Sequence, residues 1–217
     1  MDIWLDTANI RMIQKGIKVG IMSGVTTNPA IIAQAERPFK DLLKDLMHYQ
    51  EGPVAVQVTA SETSEMVQQG QNLYSFSNRI IVKVPITKNG LEALHLLSRQ
   101  GIQTMATVLF HPHQALMAAL AGANYVAPYL SRMEKAGEDP YAALKIMMQV
   151  FQNYKLKTKI LGASINSVEQ VLKCATTGIY GVTIKDAIFE ELTADQPLTL
   201  ESLHGFEKFN CLIPTNL

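Results

Sequence analysis

Short apolar runs alternate along this chain with longer segments of helical period. The runs that read as strands cover residues 3–6, 24–27, 54–58, 80–84, 104–110, 125–129, 159–164 and 181–185. Between them the signals are helical. Asp139-Pro140 looks like an N-cap followed by proline at the first helical position. Ser61 and Ser167 are placed to cap segments leading to Asn72 and Thr177, while Gly101, Gly122 and Gly178 sit where helices would stop. Leu91, Leu94 and Leu97 give one apolar face to the helix after Asn89.

Such alternation favours a parallel sheet covered by helices. Eight strand candidates in 217 residues leave about 27 residues per unit, the scale of a compact eight-fold β/α barrel. An open doubly wound sheet could use similar units, but no Gly-x-Gly-x-x-Gly turn follows any strand. There is no low-complexity stretch and no linker rich in Pro, Gly or Ser. Residues 1–217 therefore read as one α/β domain, a (β/α)8 TIM barrel extended from about 199 by a C-terminal helix and tail.

Strand parity says which side chains enter such a barrel, because successive residues face opposite ways. In the third strand Val54, Val56 and Val58 should face helices, leaving Ala55 and Gln57 inward. In the fourth, Ile80, Val82 and Val84 face out, and Ile81 and Lys83 face in. Tyr125, Ala127 and Tyr129 alternate with Val126 and Pro128; Gly181, Thr183 and Lys185 alternate with Val182 and Ile184. Asp6, Thr107 and Ser164 fall at or near the carboxyl ends of their strands, with Asn28 just past the second. Barrel active sites are assembled at that end. A barrel serving only as scaffold has little reason to gather desolvated polar groups there, since each costs energy unless paired.

Composition adds mostly exclusions. Hydrophobic residues make up 47% and charged residues 18%, as in an ordinary globular protein. The formal net charge is zero and no long basic or acidic run occurs, so charge supports neither nucleic-acid nor anionic-membrane binding. The acidic start Met1-Asp2-Ile3-Trp4-Leu5-Asp6 lacks the basic-then-apolar layout of a secretory signal, and no apolar stretch approaches transmembrane length. Cys174 and Cys211 belong to no close-spaced metal or redox motif. A soluble protein of a reducing cytoplasm is the expectation.

The unusual charge is Lys83, one ammonium among five apolar residues in Ile80-Ile81-Val82-Lys83-Val84-Pro85. Desolvation can lower a lysine pKa from about 10.4 to roughly 7–8, leaving a free amine ready to attack a carbonyl. A Schiff-base enzyme needs such an amine. The other reading is a strand-end lysine that snorkels to solvent with its stem buried. His111-Pro112-His113 could suggest a metal-dependent site, but no third ligand is indicated nearby. It reads as a loop entering a helix at Pro112. Met147 and Met148 look like core filler in the 142–151 helix, and Cys174 like a small buried hydrophobe.

Read together, several fragments resemble the small transaldolase family, and within it the fructose-6-phosphate aldolase subgroup. They are Leu5-Asp6-Thr7, Gly24-Val25-Thr26-Thr27-Asn28-Pro29, Val82-Lys83-Val84-Pro85, Ala121-Gly122-Ala123 with Tyr125-Val126-Ala127-Pro128-Tyr129, and Ala163-Ser164. Each is weak alone; their order and spacing cover almost the whole chain. The resemblance implies a class I aldolase barrel with no metal and no organic cofactor, in which Lys83 attacks the ketone of the donor. The implied reaction is reversible cleavage of fructose 6-phosphate to dihydroxyacetone and glyceraldehyde 3-phosphate. The alternative is a transaldolase moving the dihydroxyacetone unit between sugar phosphates. A barrel that only binds sugar phosphates is a third reading, because fold alone does not exclude it.

The resemblance also assigns residues. Asp6 and Asn28, with Thr27 beside it, look like the groups that hold donor hydroxyls and help proton transfer around the lysine. Asn28 could equally cap the turn before Pro29. Gln57, Thr107 and Tyr129 resemble the trio that positions the catalytic water. Transaldolases proper tend to carry Glu and Phe where Gln57 and Tyr129 stand, so the pair resembles the aldolases. Arg132 and Ser164 match the family's phosphate-binding positions. Two residues beyond that serine the family usually supplies a cation, whereas this chain has Asn166; Lys185, of inward parity at the eighth strand's end, is a candidate replacement. The ending, from Thr199 through Phe206 and Phe209 to Ile213-Pro214 and Leu217, matches a region that in the family crosses to a neighbouring subunit. The resemblance thus implies a homo-oligomer of pentamer rings stacked as a decamer. The residues by themselves are apolar enough to be costly if exposed.

Overall fold

The structure, a computed structural model, describes residues 1–207. Its centre is a closed barrel of eight parallel strands: β1 (Asp2–Asp6), β2 (Met22–Thr26), β3 (Val54–Gln57), β4 (Ile80–Pro85), β5 (Thr104–Leu109), β6 (Tyr125–Pro128), β7 (Lys159–Ile165) and β8 (Gly181–Ile184). Each strand pairs with the next in sequence, and β8 closes on β1. Around the barrel run α1 (Ile10–Val19), α2 (Pro29–Gln34), α3 (Phe39–Tyr49), α4 (Thr63–Phe76), α5 (Lys88–Arg99) and α6 (Pro112–Leu120). They are followed by α7 (Leu130–Lys135), α8 (Pro140–Asn153), α9 (Val168–Thr177), α10 (Asp186–Leu192) and the extension α11 (Pro197–Phe206). The (β/α)8 barrel with a C-terminal helical extension is therefore the fold. The expected tail beyond α11, with Phe209, Cys211 and Ile213-Pro214, lies outside the described residues. Among the described residues no helix is long and apolar enough to cross a membrane.

Local signals account for most boundaries. The Asp139 carboxylate accepts from the backbone N–H groups of Tyr141 and Ala142, and Pro140 opens α8. Ser167 caps α9 through the Gln170 N–H, and Gly178 ends it in the left-handed conformation that favours glycine. Two expectations need correction. Residue 61 is not the cap of α4: Glu62 holds that position without a side-chain bond, and the helix runs on to Phe76. Asn89 lies inside α5, because the Thr87 hydroxyl takes the Gly90 N–H and starts the helix earlier. Asn89 instead donates to the Ser61 carbonyl, tying the first turn of α5 to the loop before α4.

The barrel wall separates two apolar cores. Val54, Val56, Val58, Ile80, Val82 and Val84 pack with the helices, whereas Trp4, Ala55, Ile81, Met105, Tyr125, Ala127, Leu161 and Ala163 fill the interior. This is the partition that parity predicts. Gly24 belongs to it as well: a Cβ there would lie 2.7 Å from the Trp4 ring, an overlap of the kind that costs about 1–3 kcal/mol. The amino-terminal end is floored by aromatic rings, Tyr125 edge-on to both Trp4 and Tyr180. Tyr180 donates to the Asp2 carboxylate, and the Lys159 ammonium lies 4.3 Å from the Tyr180 ring centre. The polar residues collect at the other end.

Parity breaks twice, near the carboxyl ends of β5 and β7. Val108 and Ser164 have φ of 58° and 57°, and the pairing registers shift across both. These are β-bulges. After each one the next residue, Leu109 or Ile165, packs against the helices where strict alternation would turn it inward.

Candidate active site

Lys83 occupies the interior face of β4, in register with Gln57 on β3 and Met105 on β5. It is 4% exposed, and its ammonium donates to the Thr27 carbonyl at 2.7 Å. Burial pulls its pKa below the ordinary lysine value of 10.5, opposed in part by the Asp6 carboxylate. The lysine therefore does not snorkel; its nitrogen is held inside the barrel by one carbonyl.

Asp6 ends β1 within a chain of hydroxyls. Thr26 Oγ1 donates to Asp6 Oδ1 at 2.6 Å and lies 2.6 Å from Thr183 Oγ1. Because the single Thr26 proton goes to the carboxylate, Thr183 is the donor in the second bond. Thr26 and Thr183 went unassigned in the sequence. Threonine is common in strands, and only its inward parity at the mouth distinguishes these two.

Asn28 and Thr27 turn out to have structural duties. Asn28 Oδ1 accepts from the Ile31 N–H and caps α2, so its amide N–H groups remain to meet a ligand. Thr27 is fully buried and its hydroxyl donates to the Ala55 carbonyl, so it supports Lys83 through its own carbonyl. Asp6, Asn28, Lys185 and Asp186 line a common cavity of about 850 Å³ at the mouth. Lys83, Gln57, Thr107 and Tyr129 are not part of its wall.

On the far side, Thr107 Oγ1 and Tyr129 Oη are 3.1 Å apart. The Tyr129 ring is edge-on to Phe110, with the Arg132 guanidinium 4.8 Å from its centre. Arg132 is exposed on α7. Ser164 sits at the bulge of β7, and two residues on Asn166 Oδ1 accepts from Lys185 Nζ at 3.2 Å. The lysine after β8 thus reaches the side chain that follows the end of β7. His111 and His113 stack their rings 5.5 Å apart at the start of α6, where Gln114 reaches back to the Phe110 and His111 N–H groups. No group of three or more His, Cys, Asp or Glu suited to a metal ion occurs among the described residues. Burial pushes the Cys174 thiol up to about 12, which leaves it unreactive.

A family model described as transaldolase/fructose-6-phosphate aldolase matches residues 3–211. The chain belongs to that family. Relatives within the transaldolase/fructose-6-phosphate aldolase family include "Probable transaldolase 2" of Listeria monocytogenes, 38% identical over 96% of this chain and 95% of its own length. "Probable transaldolase" of a Hydrogenobaculum species is 39% identical over the same shares. "Probable transaldolase" of Thermoplasma volcanium is 36% identical over 95% of this chain and 93% of its own. The chain is accordingly an enzyme of the transaldolase family, and sugar-phosphate substrates fit that family.

Proposed function

We propose that Lys83 forms a Schiff base with the ketone of a ketose phosphate and that the enzyme breaks the carbon–carbon bond beyond it. The observation that carries this reading is the buried amine, its pKa lowered by desolvation, with the Asp6 carboxylate close enough to act on it. The amine adds to the carbonyl carbon, and loss of water gives an iminium. A base takes the proton of the hydroxyl two carbons along; Asp6, held by Thr26 and facing the mouth cavity, is our choice. The bond between the two carbons breaks, its electron pair enters the iminium, and an aldehyde departs from the resulting enamine. For fructose 6-phosphate that aldehyde is glyceraldehyde 3-phosphate. On this reading the iminium is the electron sink, and neither metal nor organic cofactor is required.

Two endings follow. Protonation and hydrolysis of the enamine release dihydroxyacetone, which is the aldolase outcome; attack on a second aldehyde is the transaldolase outcome. The names of the relatives support transfer. Gln57 and Tyr129 support release, because Tyr129, in contact with the Thr107 hydroxyl, supplies a phenol that can protonate the enamine. On that pair we put the lyase first and the transferase second. Arg132, Ser164 and Lys185 would hold the phosphate, a role the reach of Lys185 to Asn166 supports. We also propose a cytoplasmic enzyme that associates as a homo-oligomer, a reading the exposed apolar residues of α11 support; the family resemblance is the ground for a decamer of stacked pentamers.

Incubation with fructose 6-phosphate, with and without erythrose 4-phosphate, tests the reading. Borohydride should trap a three-carbon adduct that peptide mapping locates on Lys83. Absence of that adduct would remove both enzyme readings and leave the binding barrel. Free dihydroxyacetone should form without the acceptor; turnover that requires erythrose 4-phosphate makes the enzyme a transaldolase.

A further inference from the structure

Gln170 lies one turn into α9 and is 8% exposed, unusual for a glutamine on an outer helix. Its side chain is engaged from three directions. Oε1 accepts from the Ser131 hydroxyl of α7 at 3.0 Å and from the Asn166 backbone N–H at 2.7 Å. Nε2 donates to the Glu134 carboxylate, whose other oxygen accepts from the Tyr141 hydroxyl at 3.1 Å. The residues it ties down are neighbours of the three groups proposed to hold phosphate. Ser131 precedes Arg132 on α7. Asn166 follows Ser164 by two residues and takes the Lys185 ammonium on its own side chain. One buried amide therefore spans the helix that carries the guanidinium and the residue that follows β7, which lies two positions past the serine and orients the lysine.

We propose that Gln170 is a positioning residue that sets the spacing of Arg132, Ser164 and Lys185 for the phosphate of the aldehyde. This rests on the phosphate-site reading above. Phosphate recognition by a guanidinium and an ammonium depends on the oxygens meeting both donors at once, and a misplacement of about 1 Å is felt in rate and affinity. Glutamine suits the task because it accepts from the hydroxyl and the N–H while donating to Glu134. Leucine fills a similar volume and makes none of these bonds.

The test compares carbon–carbon bond formation from dihydroxyacetone with glyceraldehyde 3-phosphate and with unphosphorylated glyceraldehyde, in the full-length enzyme. Gln170→Leu should raise KM for the phosphorylated aldehyde about tenfold, the loss of one good hydrogen bond's worth of affinity, and shift KM for glyceraldehyde less than about twofold. Ser131→Ala, which removes one bond only, should move the same ratio in the same direction by a smaller factor and serves if Gln170→Leu does not fold. Tyr141→Phe cuts the network at its edge, away from Asn166 and Ser131, and should lower the melting temperature without moving the ratio. Arg132→Ala and Lys185→Ala, run in parallel, test the phosphate site itself. If those two raise the ratio while Gln170→Leu and Ser131→Ala do not, the positioning role is wrong. If neither cation variant raises it, the phosphate-site reading fails, and the positioning role with it.

Discussion

On the proposed reading, Asn28 has one amide to divide between a helix and a substrate. Its oxygen is committed to the Ile31 N–H, so only the nitrogen side can serve chemistry. Serine caps helices about as well as asparagine but offers no amide donor at that reach. Asn28→Ser should therefore leave the urea midpoint near that of the parent while kcat/KM with fructose 6-phosphate falls at least about tenfold. Asn28→Ala should lose about 1 kcal/mol of stability as well. An unchanged kcat/KM in Asn28→Ser would mean that the residue is a cap and nothing more. Lys83 was legible because a charge inside an apolar strand contradicts the usual distribution of lysine. Thr26, Thr183 and Gln170 were not, since each is an ordinary residue for its element and acquires its duty only from partners distant in sequence.

The elements themselves were readable because alternation and helical period report burial directly, and all eight strands fall where the pattern puts them. The bulges were not readable. Residues 104–110 look like an unbroken strand, and no glycine marks the kink, yet Val108 adopts a left-handed φ that a β-branched residue rarely takes. Conformations of this kind cost about 1–3 kcal/mol each and persist where the surroundings over-determine them. Here both kinks flank β6, whose end carries Tyr129. The extension α11 poses the opposite problem, a regular helix that nothing among the described residues buries. Leu198, Leu200, Leu203 and Phe206 are 76%, 50%, 57% and 61% exposed, an apolar face that the rest of the described residues leave uncovered. Light scattering should give a mass several times the 24.0 kDa of the chain, and Leu203→Glu with Phe206→Glu should shift it downward. A monomeric parent at micromolar concentration would refute the proposed assembly.

For the molecule as a whole, the buried lysine is a stability cost with a pH signature. Its folded pKa lies below the unfolded value of 10.5, so between those two values the unfolded chain binds more protons and stability rises with pH. The penalty is full below the lowered folded value and vanishes above 10.5. Lys83→Met removes it. Urea unfolding should find the variant more stable than the parent at pH 7, with the difference shrinking as pH is raised toward 10.5. Parallel stabilities across that range would show that burial does not penalise the amine.

The aromatic floor formed by Trp4, Tyr125 and Tyr180 makes the barrel a vessel with one opening. On the Schiff-base reading, everything that reaches Lys83 arrives from above and leaves the same way. A ketose must descend carbonyl first, and the aldehyde half, lying nearer the opening, has to depart before the tethered three-carbon half can. The vacated space then admits either water or a new aldehyde, but not both. Hydrolysis and transfer become rivals for a single doorway, and the balance between them is a matter of occupancy as much as of proton donors.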